Sequence, residues 1–289
     1  MKKGTRQFSA RQVMIKNDFE LFHNYNSLPI QIDYHSHDFY EAYFFLSGRV
    51  SYIIEGKTYH LRPGDILLTN SRELHKPLIL DGKVYERFVL WLQPSYLLGL
   101  SDPDTNLSQC FTSVSQYGSH LIRTDSETFS VIHKLLERLE KIDSQVEFGS
   151  SVLKRAYLSE LLVLLNSAYL GTSSAESDIT YHGKIGDILH YINENLCEDL
   201  SLNLLSQKFY VSKYHLSREF KQYVGLPLHQ YILKKRLISA KLFLLSGASV
   251  NTACMKSGFG DYSNFVKAFK QEFGISPKKY AMLSISKRL

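Results

Sequence analysis

Cysteine is scarce in this chain, and the three present, Cys110, Cys197 and Cys254, are scattered and odd in number. That pattern excludes a disulfide framework and a Cys-type zinc site, and it fits a reducing compartment. Long hydrophobic runs are missing as well. No stretch of eighteen apolar residues occurs, so no membrane partner is expected. The opening segment, MKKGTRQFSARQVMIKNDFE, has basic residues but lacks the apolar centre of a signal peptide, and the expected address is the cytoplasm. Neither a phosphate-cradling loop nor a Ser-His-Asp set is visible, and Gly56 and Gly64 read as turn glycines. The expectation is a protein that is not an enzyme.

What the chain does have is apolar mass and a lopsided charge. Hydrophobic residues make up 44% of the 289, enough for a core and too many for wholesale disorder. The net charge is +6, but residues 183–289 hold 16 Lys/Arg against 7 Asp/Glu, a balance of +9, while residues 1–182 hold 18 against 21, a balance of −3. A basic excess confined to one end points to a polyanion partner for that end, against the plainer reading of a solvated basic face.

From about Ile32 to Leu92 the chain reads as short strands. EAYFFL, VSYII and RFVLWL are rich in aromatic and β-branched residues, and Ser47-Gly48, Glu55-Gly56 and Pro63-Gly64-Asp65 supply the turns. Strands in such succession predict a sandwich or barrel. A polar stretch, 101–109, leads to two helical patterns. Phe129, Ile132, Leu135, Leu136, Leu139 and Ile142 repeat at three- and four-residue steps, and Leu153, Tyr157, Leu161, Leu164 and Leu165 form a second stripe. These stripes are candidates either for packing on the barrel or for a homodimer interface, with Leu161 and Leu165 as its expected contacts. GTSSAESD then marks a boundary. The domains are expected at 1–170, for ligand sensing and dimerisation, and 183–289, helical and DNA-binding, with a linker at 171–182. The fold class is thus an all-β barrel with appended helices followed by an all-α domain.

The basic half repeats itself. SLNLLSQKFYVSKYHLSREFKQYVGLPLHQY lies over SVNTACMKSGFGDYSNFVKAFKQEFGISPKKY at an offset of 48 residues, then 49 after the turn. Each copy reads as a short helix, a turn, an N-cap (Ser212 or Asp261) and a second helix ending near Gly225 or Gly274. On the wheel, Leu216, Phe220 and Tyr223 share one face opposite Tyr214, Arg218 and Lys221. In the second copy Phe265, Phe269 and Phe273 lie opposite Ser263, Lys267 and Lys270. Each exposed triplet has two cations and a hydroxyl, groups suited to phosphates and base edges. A pair of helix-turn-helix units reading double-stranded DNA therefore ranks above a bundle with a basic exterior. The expected contact residues are Ser212, Lys213, Tyr214, His215, Ser217, Arg218 and Lys221 in the first unit, and Asp261, Tyr262, Ser263, Asn264, Lys267 and Lys270 in the second. A helix from Pro227 to about Leu245, roughly 30 Å long, would join them across about one turn of B-DNA.

On these motifs, above all GFGDYSNFVKAFKQEFGISPKKY, the last hundred residues resemble the DNA-binding domain of the AraC/XylS-type regulators. Departures are small: Ala253-Cys254 stands where Ile-Ala is usual, and Ser206 replaces an alanine. The resemblance implies a cupin-like sensor in the N-terminal half. HSHDFYEAYFFLSG fits the first cupin motif from His35, and the second runs from Gly64 to His75, with Asn70 and Arg72 in place of the usual Pro and Gly, and Pro29 in place of the opening Gly. All four cupin ligand positions are thus filled, by His35, His37, Glu41 and His75.

Three imidazoles and a carboxylate suit a divalent transition metal with open coordination sites. Alternation along one strand would aim His35 and His37 at one face. The same residues also suit a metal-free pocket for a small, sugar-like effector, with Tyr43 and Trp91 as stacking platforms, or a purely structural lining. No cofactor is required by the leading reading, a one-component, ligand-responsive regulator acting as a homodimer. Its rivals are a metal-dependent cupin enzyme with a DNA-binding tail, marked by bound metal and turnover, and an architectural protein whose cup only dimerises.

Overall fold

The computed structural model describes residues 13–26, 32–80, 84–117, 119–143, 145, 147–171, 179–180 and 183–286. The chain divides into two compact units, residues 1–54 with 58–180 and residues 181–289 together with the turn 55–57. No helix among the described residues is long and apolar enough to cross a membrane.

The first unit is built on two sheets. Strands β1 (Phe19–Asn26), β2 (Tyr40–Ser47), β5 (Asp65–Thr69), β7 (Tyr85–Leu92) and β8 (Leu121–Arg123) form one, in the order β1-β7-β2-β5-β8. Strands β3 (Val50–Ile54), β4 (Lys57–His60), β6 (His75–Ile79) and β9 (Ile179–Thr180) form the other, in the order β6-β3-β4-β9. The five-stranded sheet is buried on both faces, which explains the unbroken apolar run of β2. Strand pleating sends alternate residues to opposite sides. Ala42, Phe44, Ile66, Leu68, Phe88 and Leu90 face a core shared with helices, whereas Tyr43, Phe45, Leu67 and Val89 face a second core with Val50, Tyr52 and Ile54.

Helices α3 (Ser126–Asp143) and α4 (Ser150–Gly171) appear where the periodicity placed them. The expected strand region began too late, since β1 precedes Ile32. Two helices, α1 (Pro94–Leu100) and α2 (Gln109–Tyr117), and strand β8 were not anticipated. The larger correction concerns α4. Leu161 and Leu165 are completely buried in the unit's own core, with Leu158 and Leu162, so they are not surface contacts. The outer face carries Val152 and Val163 instead, 63% and 47% exposed. Both faces of α4 are apolar, and the one packed against α3 and α2 is buried. The expected linker lies mostly outside the described residues, and within it Ile179–Thr180 form β9, paired with Thr58–Tyr59.

The second unit is all helix: α5 (Gly183–Glu194), α6 (Leu202–Lys208), α7 (Lys213–Val224), α8 (Leu228–Leu245), α9 (Val250–Lys256), α10 (Tyr262–Phe273) and α11 (Pro277–Ser286). Both copies of the repeat start their first helix on a serine: Ser201 accepts from Leu204 N, and Ser249 from Thr252 N. The second helices begin on Ser212 and Asp261, which accept from His215 N and Asn264 N. Both end on a left-handed glycine, Gly225 at φ 79° and Gly274 at φ 78°, a conformation that β-carbons disfavour. Leu237, Ala240 and Leu244 of α8 share a core with Ala253, Cys254, Phe265 and Phe269. The connecting helix has 18 residues, about 27 Å, a little shorter than expected, with Pro227 as its N-cap.

Candidate functional site

Two sets of residues stand out, one in each unit. In the first, the register puts a carboxyl group inside the cup: Glu41 pairs with Trp91 on β7 and with Thr69 on β5, on the inward face of β2. Trp91 Nε1 donates to Glu41 Oε2 at 2.7 Å, and Tyr52 OH donates to Oε1 at 3.4 Å. Burial pushes the Glu41 carboxyl up to about 7, against the lowering effect of these hydrogen bonds and of the Arg87 charge.

His75 opens β6, and His37 sits in the bend before β2; both are buried. The Nδ1 of His37 lies 2.8 Å from the Phe39 carbonyl, and that of His75 lies 3.1 Å from the Glu73 carbonyl. A carbonyl only accepts, so each Nδ1 carries the proton and each Nε2 turns a lone pair towards Glu41. These nitrogens lie 3.8 Å from Glu41 Oε2 and 3.9 Å from Oε1, respectively. The His37 ring stacks on Phe39 at 4.0 Å. Burial and the neighbouring imidazoles hold His75 well below the ordinary histidine range.

Donor atoms of His37, Glu41 and His75 therefore lie within 4.8 Å of one another. His35 stands outside this set, a correction to the four-ligand expectation. It does not continue a strand with His37. Instead it forms a lone backbone bridge to His75, and its Nδ1 contacts the carbonyl of Asp33 at 2.9 Å. Its ring is 4.4 Å from that of His75, so it lies beside the cluster.

Tyr43 is buried on the same inward face and contacts Tyr85 through the two hydroxyls. Arg87 lies 4.0 Å over the Tyr85 ring. Tyr52, Tyr85 and Arg87 were missed by sequence reasoning. Alternation counted back from Trp91 along β7 would have found Arg87 and Tyr85.

In the second unit, all thirteen expected contact residues are exposed. Leu216, Phe220 and Val224 of α7, and Phe265 and Phe269 of α10, are buried beneath them. Tyr223 is only half-buried, because Val224, one full turn beyond Phe220, completes the stripe. Ser212 and Asp261 spend their side-chain oxygens on capping, which fixes where α7 and α10 begin. His215 Nε2 pairs with Glu219 at 3.0 Å, so its ring is partly committed within α7. Arg218, Lys221, Lys267 and Lys270 project from equivalent places in the two copies.

Comparison with known proteins agrees with this division. Residues 23–162 match a family model described as an AraC-like ligand binding domain, and residues 205–282 match a helix-turn-helix domain. The HTH-type transcriptional activator RhaS of Salmonella schwarzengrund is 25% identical over 245 residues, 84% of this chain and 85% of that protein; RhaS of Citrobacter koseri is similar to the same extent. Among solved structures, the C-terminal domain of the two-component response regulator yesN from Fusobacterium nucleatum is 35% identical, with a TM-score of 0.32, over 32% of this chain and 93% of that one.

Proposed function

The chain belongs to the AraC-type family of ligand-responsive, DNA-binding transcription regulators, and on that premise we propose how its two units divide the work. Residues 1–170 form the sensing and dimerising domain, 171–182 the linker and 183–289 the DNA-binding domain. Helices α7 and α10 each enter a major-groove segment, with Arg218 and Lys221 on one and Lys267 and Lys270 on the other. The cup, around Glu41, His37, His75, Tyr43 and Trp91, holds a small polar effector of sugar-like chemistry. The protein acts as an activator, as the relatives' name suggests, and works as a cytoplasmic homodimer with no catalytic step.

The observation carrying this reading is the duplicated pair of N-capped helices that present cations from equivalent positions over buried Leu/Phe stripes. It is tested by titrating duplex DNA with the full chain. Affinity should fall steeply with salt, and a five-base-pair insertion between the two contacted segments should cost one helix its contacts. Arg218→Ala should relax preference in one segment and Lys267→Ala in the other, each by about 1–3 kcal/mol. Absence of salt-dependent binding would overturn the reading. Uniform weakening across all sequences would make the residue a phosphate contact.

A second reading concerns a metal. Two Nε2 lone pairs and a carboxylate within 4.8 Å of one another are donor types that suit a divalent transition metal, which would draw them closer together. His37, Glu41 and His75 would hold it and leave positions open for effector oxygens. Elemental analysis of protein purified without chelator decides: stoichiometric metal lost in His75→Ala supports the site, and none in wild type leaves the metal-free pocket.

A further inference from the structure

The two helix-turn-helix units are joined by α8 and by contacts beside it, one of them at the middle of α8. Arg236 is the ninth of its 18 residues. The first half of the helix buries Leu228, Tyr231 and Ile232, with Tyr231 edge-on to Phe220 of α7 at 5.6 Å. The second half enters the core of the other unit through Leu237, Ala240 and Leu244. Were α8 the sole tether, bending at its centre would swing one recognition helix against the other.

Arg236 sits at that point and reaches sideways. Its Nε donates to the Leu196 carbonyl at 2.9 Å and its Nη2 to the Glu198 carbonyl at 2.8 Å, both in the loop from α5 to α6. The same loop abuts the turn of the second unit. Cys197 Sγ donates to the Lys256 carbonyl at 2.8 Å, and a β-carbon placed at Gly258 would lie 2.1 Å from the Leu196 oxygen and 3.0 Å from Cys197 Cα. Lys234 Nζ on α8 is 2.8 Å from Glu272 of α10, a further brace. A cleft of about 800 Å³ opens beside this seam, lined among others by Leu200, Ser217, Ile232 and Phe259.

We propose that Arg236 is a positioning residue that fixes the separation and phase of the two recognition helices, so that the protein reads the spacing between two DNA segments as well as their sequences. The proposal rests on the DNA-binding reading above. One base pair added between the segments rotates one of them by about 35°. A braced pair of helices then loses contacts that a hinged pair recovers by bending.

The test uses duplexes selected by the full chain from a random-sequence pool and remade with one base pair added or removed between the contacted segments. Wild type should lose about tenfold or more in affinity per base pair, and Arg236→Ala about threefold or less, with the original duplex bound within a few-fold by both. Arg236→Lys, which keeps one cationic donor, should fall between, and Gly258→Ala, which pushes the loop off the turn, should behave like Arg236→Ala; these two serve if Arg236→Ala does not fold. Equal penalties in wild type and variants overturn the proposal. A DNA-free measurement separates it from the reading it rests on. Electron–electron distances between encoded spin labels at Gln222 and Gln271 should be narrowly distributed in wild type and broad in Arg236→Ala, and equal widths overturn the brace. Failure of wild type to bind any duplex would sink the DNA reading, while the label distances still decide the brace.

Discussion

Replacing Glu41 by glutamine should stabilise the N-terminal unit at pH 8 and leave it unchanged at pH 4.5. Burial lifts this carboxyl from its ordinary 4.5 to about 7, so the folded state holds the proton where the unfolded chain has released it. The cost is absent below pH 4.5, grows between pH 4.5 and 7, and is complete above pH 7. A shift of that size corresponds to about 3 kcal/mol. Glutamine has the same shape. Its carbonyl oxygen can still accept from Trp91 Nε1, and its amide can donate towards His75 Nε2, now 3.9 Å from Glu41 Oε1. Trp91 is the chain's single tryptophan, so urea unfolding followed by its fluorescence reports this unit alone. In chelator-treated protein the stability gap between Glu41→Gln and wild type should widen from near zero at pH 4.5 to about 3 kcal/mol at pH 8. A gap that does not grow with pH would refute the buried-carboxyl argument. Where the site takes a divalent metal, adding it should reverse the gap, because the carboxylate becomes a ligand.

Two further predictions concern packing and caps. Leu161→Ala should cost the first unit about 2–5 kcal/mol by urea denaturation without changing its assembly, whereas Val163→Glu on the outer face should leave stability nearly intact and shift sedimentation towards monomer. The opposite pattern would mean that α4 is turned the other way. Ser201→Ala and Ser249→Ala should each lower the stability of the second unit by about 1 kcal/mol in thermal unfolding, since each removes a hydroxyl that caps the first helix of a copy.

The parts of the fold that were legible in the sequence are those written in local chemistry. Ser212, Asp261, Gly225 and Gly274 bound α7 and α10 through contacts within a few residues, and their repetition at one offset made the duplication visible. The parts that were not legible depend on distant partners. Among the described residues strand β1 has an edge position and pairs with β7 alone, and FELFHNYN shows weak alternation and many half-buried residues. Helix α4 is apolar on both faces, and which leucines go inside is settled by its packing against α3 and α2. His35 fits the motif spacing and its ring lies beside that of His75, yet it is not among the donors that gather within 4.8 Å of one another. The inward tyrosines of β3 and β7 carry no motif and show only as alternation once the strands are known.

One position shows how context selects a residue that duplication alone would have left free. Both copies place a left-handed residue just after their first helix: Tyr210 at φ 52° in one and Gly258 at φ 84° in the other, 48 residues apart. The preceding residues, Phe209 and Ser257, have identical backbone angles, φ −100° and ψ 8°. Tyr210 is 92% exposed, so its side chain meets nothing and only the strain of the left-handed region opposes it. Gly258 faces the Leu196 carbonyl, where a β-carbon has no room. Equivalent turns should therefore answer oppositely to substitution. Tyr210→Gly relieves strain of about 1 kcal/mol and gives back part of it as unfolded-chain entropy, for a thermal shift of zero to a few degrees upward. Gly258→Ala adds both the strain and the clash, and should lower the melting temperature of the second unit by several degrees. If calorimetry finds that Gly258→Ala is tolerated as well as Tyr210→Gly, the loop from α5 to α6 does not press on this turn, and the contact that forbids a side chain there is absent in solution.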